Sequence, residues 1–304
     1  MIKLNLKDDL RRVTVANLPH DSADPKVAAK LAGMDLRELT VVYHNWLSRL
    51  VRPGPRKILR SKELDANPLC QTFSAALADV TSAIEKGLDL TPRLSKAVAT
   101  YGYVAGSSSK TRDKDLMLND WAVHHLHLGA GPDAKDPRFI QRTDELLFVM
   151  FHRESAYLLD IVPHKQWTRQ GIVRIAVTNW PDAELFLELQ GVQGAAVAYT
   201  EKEHAKLRKA GIATMVEVDG KLFVARGMLA TAGTSIQSTR AADRMLDAVE
   251  AFEAMCRDEP EKVEAQFARH GLLWPKRPAF EFVFLETGFG VVERSTGVVI
   301  GLGK

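Results

Sequence analysis

Cysteine is scarce in this chain: Cys70 and Cys256 are the only two in 304 residues. Two isolated thiols exclude a disulfide framework and a cysteine-built zinc site, and they read as core or surface thiols. Long apolar runs are missing too. No stretch approaches the roughly 18 residues that cross a bilayer. The opening MIKLNLKDDLRR is charged within seven positions and lacks the apolar centre of a signal peptide. A cytoplasmic protein with no membrane partner is therefore expected. There is no G-x-S-x-G elbow and no Walker A sequence, which argues against a serine hydrolase and a P-loop NTPase. There is also no excess of one charge. Against 38 Asp+Glu stand 41 Lys+Arg, a net +3 with the 9 His neutral, so the chain as a whole is not a nucleic-acid-binding arm.

The composition, 46% hydrophobic and 26% charged, is that of an ordinary globular protein long enough for two or three domains. The periodicity predicts an α+β fold in three parts. Residues 1–115 read as mainly helical, with a helix in DSADPKVAAKLAGMD, one in DLRELTVVYHNWLSRLV (35–51), one over 67–87 and one over 91–105 started by Thr91 and Pro92. Residues 116–182 read as a small antiparallel sheet: a His-rich strand over 122–128, then strands over 145–151 and 156–162 joined at Arg153-Glu154-Ser155, and a helix over 168–180. Residues 183–304 read as an α+β region. It holds a strand in GAAVAYT, a helix in EKEHAKLRKAG, a hairpin at Asp219-Gly220, a long helix over 238–258 and terminal strands turning at Gly288 and Gly297.

Charge is unevenly spread. Between His44 and Lys62 lie Arg49, Arg52, Arg56, Lys57, Arg60 and Lys62, with no acid among them, and Trp46 beside them. Guanidinium groups fork onto phosphate oxygens and an indole stacks on a base, so this stretch is a candidate RNA contact. Its alternative is a solvated helix and loop.

The histidines are uneven as well. Three of the nine fall in DWAVHHLHLG, at His124, His125 and His127. Alternation along a strand puts His125 and His127 on one face, roughly 7 Å apart, and His124 on the other with Leu126 and Leu128. In the third strand, Tyr157, Leu159 and Ile161 alternate with Leu158, Asp160, Val162 and His164. If the latter face meets the His125/His127 face across the sheet, one open surface gathers His125, His127, Asp160 and His164, with Arg142 and Lys165 at neighbouring strand ends and Trp167 following. Two chemistries suit such a surface. One is metal-independent RNA cleavage, in which paired imidazoles serve as acid and base and the cations stabilise the phosphorane. The other is a zinc, manganese or iron site on His125, His127, Asp160 and His164, as in a hydrolase or oxygenase. A third reading leaves the histidines structural, in a nucleic-acid- or protein-binding module.

The order of strand, loop and hairpin in RTDELLFVMFHRESAYLLDIVPHKQW, within about residues 120–180, resembles the antiparallel meander of RelE-like toxins and the wider barnase-like ribonucleases. The resemblance implies a metal-free ribonuclease with basic and imidazole groups on a small sheet. It also implies a toxin or phage-defence role and a protein inhibitor or antitoxin as partner. Three other features read as structural. GAGPDAKDPRF (129–139) contains G-x-G but opens onto no helix, unlike a phosphate loop. ATAGTSIQSTR (230–240) reads as the cap of the following helix. HGLLWPKRP (270–278) reads as a linker packing Trp274.

Overall fold

A computed structural model of the chain describes residues 2–105, 113–164, 170–192 and 199–303. The strand expected in GAAVAYT falls largely on 193–198, and the polar loop before Asp113 falls on 106–112; both lie outside the described residues. The class is α+β. In chain order the elements begin with α1 (Leu6–Asn17), α2 (Pro25–Gly33), α3 (Leu36–Leu47), β1 (Lys57–Arg60), α4 (Lys62–Ala66), α5 (Leu69–Thr72) and α6 (Ser74–Glu85). Then come α7 (Ala97–Thr100), α8 (Leu116–Trp121), β2 (Val123–His127), β3 (Glu145–Phe151), β4 (Ser155–Pro163), α9 (Gly171–Asn179) and β5 (Phe186–Glu188). The rest are α10 (Glu201–Lys209), β6 (Val216–Val218), β7 (Lys221–Ala225), α11 (Ile236–Asp258), α12 (Pro260–Arg269), β8 (Phe280–Leu285), β9 (Gly288–Glu293) and β10 (Val299–Gly303). No helix among the described residues is long and apolar enough to cross a membrane.

The chain forms two compact units, and they cut across the expected division at 115 and 182. The first holds residues 1–44, 102–106 and 238–304. Its core joins the two ends of the chain: Leu6 and Leu10 of α1 are buried against Val249 and Phe252 of α11, Phe267 of α12 and Phe280, Phe282 and Val291 of the β10-β9-β8 sheet. A parallel bridge from Lys3 to Ala279 fixes that junction. Trp274 packs edge-on against Phe267, with ring centres 5.0 Å apart, so the HGLLWPKRP segment does pack its tryptophan.

The second unit, residues 45–101 and 107–237, is built on a four-stranded sheet of order β1-β4-β3-β2. The expected antiparallel meander is present: β2 pairs with β3, and β3 with β4. The fourth strand, β1, comes from inside the basic stretch and runs parallel to β4, which makes the sheet mixed. Both faces are covered. One packs Val123, Leu146, Phe148 and Leu159 against Ile172, Val173 and Ala176 of α9 and against the β5-β7-β6 sheet. The other packs Leu126, Leu147, Val149 and Leu158 against Leu77, Val80 and Ile84 of α6. Two-sided burial explains why ELLFVMF shows no polar alternation.

That cover corrects the expectation of an open histidine face. On the face shared by Val123, His125 and His127, Val123 and His127 are buried and only His125 is partly exposed. A second correction concerns β4, where a bulge opposite Phe148–Val149 inserts a residue. As a result Tyr157, Leu159 and Val162 serve one core, while Ala156, Leu158 and Ile161 serve the other. Strict alternation fails beyond Leu159, because a bulge shifts the parity by one.

Two expected helices are also altered. The 67–87 helix breaks at Phe73 (φ −103°, ψ 21°) into α5 and α6. The 91–105 helix reduces to a 3-10 turn at Thr91–Arg93 and the single turn of α7. Its carbonyls are taken by side chains: Trp46 Nε1 donates to Val98 O at 2.8 Å, and Arg49 to Tyr101 O at 2.6 Å.

Candidate functional site

Within the second unit a cavity of about 640 Å³ opens at the end of the mixed sheet. Three of the expected catalytic residues line it, each from a different place in the chain: His125 from β2, Arg142 from the loop before β3, and His164 just after β4. The loop between β2 and β3 is what holds Arg142 there. Asp133 in that loop accepts from Lys96 Nζ at 2.5 Å, and Ile140 N donates to Pro92 O at 2.9 Å. Gly129 lets the loop close, since a Cβ there would sit 2.3 Å from Gln141 O. The first glycine of this G-x-G is thus explained by close backbone approach.

His125 meets an acid, but not the expected one. Its Nδ1 lies 3.4 Å from Asp115 Oδ2. The other oxygen of Asp115 accepts from Leu118 N at 3.0 Å and caps α8. One carboxylate therefore starts the helix and stands within ion-pair distance of the imidazole. Ala122, at φ 58°, turns the chain from α8 straight into β2 and brings the two groups together. The D-x-x-L cap at the head of DLMLNDW was the available signal for Asp115, and charge reasoning alone passed over it.

Asp160 does not join the histidines. Its Oδ1 accepts from Asn67 Nδ2 at 2.7 Å and from Ile161 N at 2.9 Å. It lies in the same transverse register as His125, but the fully buried Phe148 of β3 stands between them. Two strand spacings separate these positions, roughly 10 Å. His127 is 1% exposed and does not line the cavity. Its Nδ1 accepts from Thr143 N at 3.3 Å. Burial above all, then the charges of Arg142, His125 and His164, push its pKa down to about 3, so it is neutral. His124 lines the cavity, edge-on to Phe151, and burial holds its pKa down at about 4. Lys165 and Trp167 lie outside the described residues. The alternative metal set of His125, His127, Asp160 and His164 thus does not converge, and no cluster of three or more His, Cys, Asp or Glu able to hold a metal occurs among the described residues.

Several cations that the sequence reading missed complete the wall. Lys114 precedes α8, and Arg208 and Lys209 end α10. That helix is set by a capping box between Thr200 and Glu203 and by His204, whose Nδ1 is 2.7 Å from Thr214 Oγ1. Arg208 is committed to the fold: Nε donates to Asp120 Oδ2 at 2.8 Å, and its guanidinium lies 4.2 Å above the Trp121 ring. Lys114 Nζ donates to Ala232 O at 2.6 Å. Arg142 and Lys209 make no hydrogen bond or ion pair among the described residues. Burial lowers the pKa of Arg142, with Asp133 opposing. Among the described residues Asp115 is the one acid that lines the cavity.

The basic stretch divides. Arg49, buried, reaches the cavity wall but donates to Tyr101 O and Asp113 O. Arg56 donates to His152 O, Gly54 O and Arg52 O. Arg60 pairs with Asp65 at 2.6 Å, so a counter-acid stands just beyond the stretch. Arg52 and Lys57 are exposed. Trp46, held to Val98 O, is partly buried. The stretch is therefore largely a structural brace around β1.

Comparison with protein-family models, curated proteins and solved structures gives no match.

Proposed function

We propose that this cavity binds a phosphate group of RNA and cleaves the adjacent phosphodiester without a metal, as a toxin-like or defence-like ribonuclease. The observation that carries the reading is His125, 3.4 Å from Asp115, on the same wall as His164 and Arg142, the latter with no hydrogen bond or ion pair among the described residues. A proton on Nδ1, facing Asp115 Oδ2 at 3.4 Å, would leave Nε2 as the basic nitrogen, suited to take the proton of a 2′-hydroxyl. The 2′-oxygen then attacks phosphorus, and the 5′-oxygen leaves with a proton from His164. Arg142 offsets the charge that builds on the phosphorane, in a site flanked by Leu94, Val98 and Met117. His127 and His124, neutral and packed, position the strand and do no chemistry.

The test is cleavage of unstructured RNA in EDTA, with thermal melts on the same samples. His125→Gln and His164→Gln should each cost on the order of 10²–10⁴ in rate, the usual worth of a general acid or base. Arg142→Gln should lower the rate as well, and a 2′-deoxy nucleotide at the scissile position should abolish cleavage. Activity that vanishes in EDTA and returns with zinc, manganese or iron would transfer these residues to metal chemistry. Wild-type protein that binds RNA and cuts none would leave a binding module.

A further inference from the structure

The cavity carries more positive charge than one phosphodiester requires. A single reacting diester, with one negative charge, is served by Arg142 beside His125 and His164. Two further ammonium groups, Lys114 and Lys209, line the same cavity. Lys209 has no partner among the described residues, and Lys114 spends one of its three donors on Ala232 O. Asp115, the one lining acid among the described residues, brings a single negative charge, so Arg142, Lys114 and Lys209 outnumber it. Leu94, Val98, Leu116 and Met117 give the wall an apolar side. A volume of about 640 Å³ falls in the range of small-molecule pockets. Single-stranded chains bound along their length are instead met by open basic grooves with stacking aromatics. Among the described residues no Phe, Tyr or Trp side chain lines this cavity.

We infer that the pocket takes the phosphorylated end of an RNA chain, with the terminal phosphomonoester on Lys114 and Lys209, the neighbouring diester on Arg142, and a nucleoside against the apolar wall. This rests on the RNA reading above and names its substrate class. A phosphomonoester carries close to two negative charges at neutral pH, against one for an internal diester, and two ammonium groups match it. Lys114 and Lys209 are thereby the specificity-determining residues for a chain end.

The experiment measures equilibrium binding of dinucleotides to the His125→Gln protein, in which turnover does not interfere. The probes are ApA, its 5′-phosphorylated form pApA, its 3′-phosphorylated form ApAp, and AMP. One phosphorylated dinucleotide should bind about tenfold or more tighter than ApA, as expected for added charge-assisted hydrogen bonds. Lys209→Gln should remove most of that preference, and the Lys114→Gln/Lys209→Gln pair all of it, while ApA affinity stays within about twofold. Lys209 is exposed, so its single variant keeps the fold and serves alone if the pair melts early. Equal binding of ApA and both phosphorylated forms overturns the inference, as does a preference that survives Lys209→Gln. AMP binding as tightly as the preferred dinucleotide overturns the chain-end assignment in favour of a free nucleotide. Cleavage of RNA by wild-type protein with no end preference sinks this inference alone. An end preference without cleavage of any RNA sinks the ribonuclease reading alone.

Discussion

Arg208 and Lys209 are neighbours on the last turn of α10, and both line the cavity, yet the fold treats them oppositely. Arg208 is buried on Asp120 and Trp121, whereas Lys209 is exposed and unengaged. The same division runs through every basic group discussed above. Arg49, Arg56 and Arg60, crowded together in sequence, are spent on backbone carbonyls or on Asp65. Arg142, isolated in sequence, is not. The availability of a cation is decided by what the fold places against it, and local charge density in the sequence says little about that.

The largest effect should come from breaking an engaged group. Arg208 and Asp120 are 4% and 2% exposed, and burial pushes the Asp120 carboxyl pKa up against the pull of the guanidinium. Asp120→Asn leaves the guanidinium buried without its counter-charge. Chemical denaturation should show a loss of about 3–5 kcal/mol, the usual cost of breaking a buried pair from one side. Lys209→Gln, one residue from Arg208, should stay within about 0.5 kcal/mol of wild type. Equal losses in the two would erase the distinction between engaged and available cations on α10.

The histidines give the next effect, through pH. Unfolded, an imidazole titrates near 6.5; in the fold His124 is held at about 4 and His127 at about 3. Below pH 6.5 the unfolded chain binds protons that the folded chain refuses. Stability is therefore complete above pH 6.5 and falls as the pH drops, by about 1.4 kcal/mol per unit for each histidine. The fall from His124 ends near pH 4 and that from His127 near pH 3. Carboxylates titrate in the same range, so the difference between wild type and His127→Gln isolates the imidazole. The variant should be less pH-sensitive between 6.5 and 4, and parallel curves would mean that His127 is charged in the fold.

The fold class and the β2–β3–β4 meander were legible because uninterrupted apolar runs bounded by turns have few other solutions. The same runs also signalled that both faces are buried. Parity reasoning, applied to one face at a time, read them as half-exposed. The bulge beside Leu159 could not be seen, since nothing in SAYLLDIVP distinguishes a bulged from a regular register. β1 was hidden because its four residues, KILR, are flanked by cations and paired to a strand about a hundred positions away. In the site, His125, Arg142 and His164 were nameable from residue type. Their acid was not: the pairing with Asp115 depends on the turn at Ala122, while Asp160 was drawn off by Asn67. The joining of the chain ends in the first unit is likewise a long-range contact with no local signature.

The smallest effect separates two arginines. Arg56 donates to three carbonyls and lies 5.4 Å from the Phe151 ring centre. Arg56→Gln leaves those acceptors short and should cost about 1–3 kcal/mol of stability. It should leave the salt dependence of RNA binding unchanged, because the guanidinium is turned into the fold. Arg142→Gln should do the reverse. With no partner to lose, stability should hold within about 0.5 kcal/mol. RNA affinity should fall, and the slope of log affinity against log salt should shrink by about one phosphate contact. Denaturant melts and a salt titration on the two variants suffice. A flattened slope in Arg56→Gln would return the basic stretch to the RNA interface. An unchanged slope in Arg142→Gln would remove the phosphate from the cavity, and the proposed chemistry at His125 and His164 would go with it.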